Sequence, residues 1–324
     1  MSTSLREAAS FQGPPDVRAA ALTELLLLAA LVAAPLLGGT VHVSSTLAVV
    51  VLCLAGAWFA RAAGTQPPGS ASPLGVVLGL VLVWQALSLL PLPENLAGRL
   101  VPRQLDLLDW SALEGLVTAR LSHAPGATSW ELLKLSGAVA AFLLVRQIAR
   151  REWGQRRVVQ YVIAAGAAAL VVSLLQTLTS ARSVLWLYRP ESESGLAAGT
   201  LWGFRTPFVN PNHAAQFFEL TGLAALGLGV LGPDRRRLLW LGLGLAMLVA
   251  VVATGSLASW VAIAAGVGFL VSLAIARGWR AARVLVLTVP LLVLATAVVI
   301  ALPVVRAGLD DTALGDPFTR VERV

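Results

Sequence analysis

What most constrains this chain is a succession of apolar stretches, each about as long as a membrane is thick. A helix that crosses the hydrocarbon core needs about 20 mostly apolar residues. Nine segments of the 324-residue chain meet that need, at roughly 19–38, 45–62, 73–91, 131–148, 157–178, 213–232, 238–255, 259–276 and 284–303. Only 13% of the residues are charged, against about 25% in a soluble globular domain. The expected fold class is therefore an all-α polytopic membrane protein with about nine transmembrane helices, a single membrane domain over 1–324. The first segment resembles a signal peptide. Its apolar core is long and no small-x-small cleavage pattern follows, so a retained signal anchor is expected.

The arginines set the expected orientation. The run RQIARREWGQRR carries Arg146, Arg150, Arg151, Arg156 and Arg157 after the fourth segment. PDRRR follows the sixth, RGWRAAR the eighth, and Arg61 the second. Alternating spans put all of these on one side, which the positive-inside rule makes the cytoplasm. The N-terminus is then cytoplasmic, and the stretch from about 304 to 324 is periplasmic, the start of a loop. The net charge of +7 lies in these short loops. That is an orientation signal, not the basic face of a nucleic-acid-binding protein, so no nucleic acid is expected among the partners. Cys53 is the only cysteine and sits in an apolar run, so neither an internal disulfide nor a thiolate zinc site can form.

The other side holds the longer loops. One, from about 91 to 130, contains RQLDLLDWSALEGLVTARL, whose apolar spacing predicts an amphipathic helix lying at the interface. The other, from about 180 to 212, carries Trp186, Tyr188, Trp202, Phe204 and Phe208 with Arg182, Arg189 and Arg205. GTQPPGSASP is a short linker between the second and third segments. Glu24 sits near the cytoplasmic end of the first segment, where it can snorkel, and Gln85 is a candidate for interhelical hydrogen bonding.

The most informative stretch is GFRTPFVNPNHAAQFFEL, Gly203 to Leu220. A residue before proline is pushed out of the α region, asparagine is a favoured N-cap, and proline is favoured at the first helical position. Asn210 is thus expected to cap a helix that begins at Pro211. At 100° per residue, Asn212, Gln216 and Glu219 fall within an arc of about 60°, with His213 further round beside Gln216. Glu219 lies nearly two turns into a span, where a carboxylate is costly and faces a protein interior or a wet cavity. Free N–H groups and the helix dipole attract anions to the same helix start, and Arg205 stands just upstream. Together these predict a wet, external-side pocket for phosphate or pyrophosphate, with aromatic residues near enough to stack on sugar rings. Against that stands the reading of Asn-Pro-Asn as a cap and Glu219 as a residue bonded to a neighbouring helix. His213 and Glu219 are too far apart in the helix for a metal pair and have no third ligand in sequence, so no metal or cofactor is expected.

The stretch TPFVNPNHAAQFFEL resembles the motif of the O-antigen ligase and O-antigen polymerase family. The matching positions are Phe208, Val209, Asn210, Asn212, His213, Ala214 or Ala215, and Glu219. An arginine-rich loop one span before it, an external loop leading into it, and VATGSLASW after it follow the family's order. The resemblance implies a metal-independent, inverting glycosyltransferase of the bacterial inner membrane, acting in lipopolysaccharide biosynthesis or a related envelope pathway. It implies a glycan donor linked to undecaprenyl pyrophosphate and an acceptor on the periplasmic face, either a lipid A core sugar, a growing glycan or a protein hydroxyl. Taken with the pocket read from the residues, it points to Arg205 and Glu219 as catalytic residues and Asn210, Asn212, His213, Gln216 and Arg189 as substrate-binding residues. In the family the general base is a histidine in a large later periplasmic loop, while the motif histidine, here His213, is structural.

Two departures qualify the resemblance. Where the family has an arginine in the turn after the motif, this chain reads Ser256-Leu257-Ala258. The family also has about twelve spans, so the chain is expected to be cut short within the loop that would carry the base. An inactive chain, a partner-dependent membrane subunit and a small-anion transporter remain alternative expectations.

Overall fold

A computed structural model describes residues 17–37, 43–62, 73–103, 119–181, 183–187, 203–232 and 235–276. Its helices are α1 (Val17–Leu36), α2 (Val43–Ala62), α3 (Pro73–Ser88), α4 (Glu94–Leu100), α5 (Pro125–Ala149), α6 (Gly154–Leu178), α7 (Pro211–Leu231), α8 (Arg237–Ala253) and α9 (Leu257–Ala276). There is no strand among the described residues, only an isolated bridge between Pro91 and Arg120. Hydrocarbon offers no hydrogen bonds, so a segment that enters it must pair its own amides, and the helix does so within one segment.

Six of the expected spans coincide with helices long and apolar enough to cross a bilayer, namely α1, α2, α5, α6, α7 and α9. The expected spans 73–91 and 238–255 coincide with shorter apolar helices, α3 of 16 residues and α8 of 17. At 1.5 Å per residue these are about 24–26 Å long, near the lower limit for a crossing. The expected ninth span at 284–303, the tail from 304, and most of the expected interfacial helix at 103–121 lie outside the described residues.

The chain forms two compact units, Met1–Ala34 with Thr40–Val158 and Pro35–Gly39 with Val159–Val324. In the first, α5 packs against α2 and α3. A Cβ on Gly137 would lie 2.7 Å from Val50 Cγ2, and Leu144 lies against Gly56. One turn further on, buried Gln147 donates from Nε2 to the Ala60 carbonyl at 2.8 Å. These contacts advance in the same direction along both helices, so α2 and α5 run parallel. A parallel pair requires the chain to return between its members, and α3 runs back in the opposite direction. Its far end meets the start of α5, where Ser122 N–H donates to the Ser88 carbonyl at 3.0 Å.

Glu24 of α1 is tied to the α5–α6 turn. Its carboxylate accepts from Arg151 Nη1 at 3.1 Å and from Arg157 Nη1 at 3.1 and 3.2 Å. Glu24 on α1 and the arginine-rich turn thus lie at the same end of the first unit. The sequence alone offered Glu24 only an escape toward water, whereas the structure gives it two guanidinium partners.

The second unit has one continuous core drawn from α6, α7, α8 and α9, centred on Phe218, Met247, Val251 and Ile263. Close approach depends on small residues. A Cβ on Gly166 of α6 would lie 2.5 Å from Thr221 Oγ1 and 3.0 Å from Met247 Cε. Gly222 lies against Met247, and Gly229 against Leu241, which makes α7 and α8 antiparallel. Gly166→Val is expected to lower stability by about 1–3 kcal/mol through overpacking. Gly79→Ala, where nothing lies within 4 Å, should be neutral or slightly stabilising. Thermal unfolding of both variants in detergent, read against the parent chain, checks the contrast.

Candidate functional site

The start of α7 is built as its residue types dictate. Asn210 holds an extended backbone, φ −105° and ψ 120°, and its side chain accepts from Asn212 N–H at 2.8 Å. Pro211 is the first helical residue. The Asn210 carbonyl accepts from His213 N–H at 3.1 Å and Ala214 N–H at 3.3 Å, closing the first turn. Asn210 is therefore the cap that the Asn-Pro pair predicts.

The loop before it is pinned at three points. Gly203 takes φ +64°, a conformation that favours glycine. Arg205 N–H donates to Thr177 Oγ1 near the end of α6 at 2.9 Å. Buried Thr206 exchanges two hydrogen bonds with the Phe208 backbone, at 3.2 and 3.3 Å. Phe204 and Phe208 then pack on α7, with ring centroids 6.4 Å from Phe218 and 5.4 Å from Phe217. The aromatics of this loop that the structure describes next to α7 thus serve as packing contacts.

Helix α7 has two faces. Ala214, Ala215, Phe218, Thr221 and Gly222 are buried in the unit's core. Asn212, His213 and Gln216 are exposed, and Glu219 is half-buried. The expected polar stripe exists as a face turned away from the unit's core. No hydrogen bond or ion pair among the described residues holds Glu219, so the alternative of a carboxylate bonded to a neighbouring helix finds no support there. Arg205 is half-buried, and its Nη1 is shielded from solvent with no partner. Arg205 does not touch Glu219 through a hydrogen bond or ion pair. Arg189, Arg182, Tyr188 and Trp202 lie outside the described residues.

Sequence reasoning passed over two buried polar side chains at the same end of the unit. Gln176 is fully buried, donates from Nε2 to the Ser183 carbonyl at 3.3 Å, and leaves Oε1 without a partner. Its signal was present, a glutamine inside the apolar run LLQTL, where an uncharged polar side chain in a span calls for an explanation. Buried Trp260 near the start of α9 also leaves Nε1 unpaired. Beside it Ser256 Oγ lies 3.4 Å from Ser259 Oγ. A tryptophan at a helix start is ordinary at a membrane interface, so sequence offered no warning. The antiparallel packing of α7 on α8 brings this turn to the same end of the unit as Asn210. That end thus gathers the helix start, a guanidinium with an unpaired nitrogen, and two buried polar side chains with unpaired atoms.

No protein-family model, curated protein or solved structure matches the chain. The resemblance to the O-antigen ligase and polymerase motif rests on the residues from Thr206 to Leu220 themselves.

The cap gives a direct check. Asn210→Ala removes the acceptor for Asn212 N–H and is expected to cost about 1 kcal/mol, while Asn210→Asp keeps an acceptor and most of the stability. Denaturant titration of both variants in detergent measures the difference.

Proposed function

We propose that this chain transfers a glycan from an undecaprenyl pyrophosphate carrier to an acceptor hydroxyl on the periplasmic face of the bacterial cytoplasmic membrane, in the manner of O-antigen ligases and polymerases. The carrying observation is Arg205, five residues before the capped start of α7, whose Nη1 is shielded from solvent without a partner. An arginine nitrogen without a partner and a helix N-terminus that follows it on one short loop each favour an anion. Exposed Asn212 and Gln216, with half-buried Glu219 on the same face, give a polar ligand access from the outward side of the helix.

In the proposed reaction the acceptor oxygen forms a bond to the anomeric carbon. The bond from that carbon to the pyrophosphate oxygen breaks, and the carrier pyrophosphate leaves with the electron pair. Negative charge grows on the leaving group, and Arg205 with the first amides of α7 would stabilise it there. Glu219, with Asn212 and Gln216, would orient the sugar next to the leaving group. The acceptor's proton needs a base at hydrogen-bond reach. His213 is not assigned that role, since its place in the first turn fits the structural role of the motif histidine. The family resemblance assigns the base to a histidine of a later periplasmic loop.

One observation favours a second reading, a subunit that binds the lipid-linked glycan without turning it over. The α8–α9 turn carries Ser256-Leu257-Ala258 where the family has an arginine. Transfer of a lipid-linked glycan in proteoliposomes separates the two. Arg205→Ala and Glu219→Gln are each expected to reduce transfer by about 100-fold or more, with membrane insertion unchanged. Normal transfer by both variants removes the site assignment. Carrier binding without transfer by the parent chain supports the second reading.

A further inference from the structure

The α5–α6 turn is dense in arginine, and two of its guanidinium groups share one carboxylate. Arg146, Arg150, Arg151, Arg156 and Arg157 lie within twelve residues, with Glu152 the only acid among them. Glu24 adds one further carboxylate, and both of its oxygens are used by Arg151 and Arg157. Each of these arginines reaches Glu24 through Nη1 alone. Arg157, with 54% of its side chain exposed, keeps Nη2 and Nε uncommitted toward the surface. Arg151 lies deeper, at 23% exposure, and its Nη2 is shielded from solvent without a partner. Two guanidinium groups thus converge on one carboxylate, leaving an excess positive charge in a partly desolvated place.

The turn that carries them is fixed in shape. Arg151 N–H donates to the Ile148 carbonyl at 3.0 Å, and Gly154 N–H to the Arg151 carbonyl at 2.9 Å. A Cβ on Gly154 would fall 1.8 Å from the Ile148 oxygen, so only glycine fits. Trp153 takes φ +61° and is 67% exposed, its indole N–H donating to Glu152 at 3.1 Å. An exposed indole held next to an arginine cluster at the end of two spans has the character of an interfacial anchor. A guanidinium fork matches the oxygens of a phosphate better than any other side chain does. Basic clusters beside a span attract the anionic lipids of the leaflet they face.

We propose that the α5–α6 turn binds the phosphate of an anionic phospholipid headgroup, with the outer edge of Arg157 as its contact, Arg151 as the charge beneath it, and Glu24 as the competing carboxylate. Trp153 would sit at headgroup level beside the lipid. The proposal stands apart from the glycan-transfer reading and concerns a different unit of the chain.

The test is a titration of short-chain phosphatidylglycerol into the full chain in neutral detergent, with phosphatidylcholine and inorganic phosphate as comparison ligands. Saturable binding of phosphatidylglycerol is expected, with phosphatidylcholine clearly weaker. Arg157→Gln should weaken phosphatidylglycerol binding by about tenfold, the loss of one charge-assisted pair. Glu24→Gln should tighten it, because the competing carboxylate is gone. A purely structural ion pair predicts no such opposition of sign. Equal binding of phosphatidylcholine, or an affinity that Arg157→Gln leaves unchanged, overturns the proposal. Inorganic phosphate binding as tightly as the lipid would make this a small-anion site and overturn the lipid assignment. Should Glu24→Gln fail to fold, exposed Arg157→Gln still decides.

Discussion

The hydrocarbon solvent governs this molecule, because a backbone amide left unpaired there costs several kcal/mol. Helices follow from that cost. So does the way they meet: with lipid tails as apolar as leucine, helices gain little from hiding apolar surface from each other. Contact must come from close fit and from hydrogen bonds. Gly166 admits Thr221 and Met247 against the backbone of α6, and Gln147 reaches a carbonyl of α2. These two devices, one steric and one polar, hold units whose outer surfaces remain rich in exposed Leu, Val and Trp.

Much of this architecture is legible in sequence because hydropathy acts over whole segments. An apolar stretch of twenty residues has few structural options, and all eight expected spans that fall within the described residues are helical. The cap at Asn210 is legible for a different reason: proline restricts its predecessor locally, whatever the tertiary context. Pairwise tertiary partners are another matter. Nothing near Glu24 in sequence points to Arg151 and Arg157, more than a hundred residues away. The parallel course of α2 and α5 likewise emerges only from which side chains touch.

The candidate site shows the same division. The angular positions of Asn212, Gln216 and Glu219 follow from helix geometry, and their shared face is as the spacing predicts. Which way that face points depends on what covers the opposite one, and Phe204, Phe208, Phe217 and Phe218 decide it through packing. The loop aromatics looked from sequence like candidates for sugar stacking. Phe204 and Phe208 are instead engaged in fixing the approach to α7. Gln176 and Trp260 belong to the same end of the unit through antiparallel packing, which no local pattern in LLQTL or SLASW encodes.

The bond from Gln147 to Ala60 has a consequence for synthesis. Its partners are 87 residues apart, so at ribosomal speeds α2 precedes the glutamine by about 4 to 17 seconds. During that interval α3 is made, which returns the chain to the end at which α5 begins. Helix α2 is thus made well before the side chain that bonds to its last turn, and the order of synthesis becomes part of how this unit finds its packing.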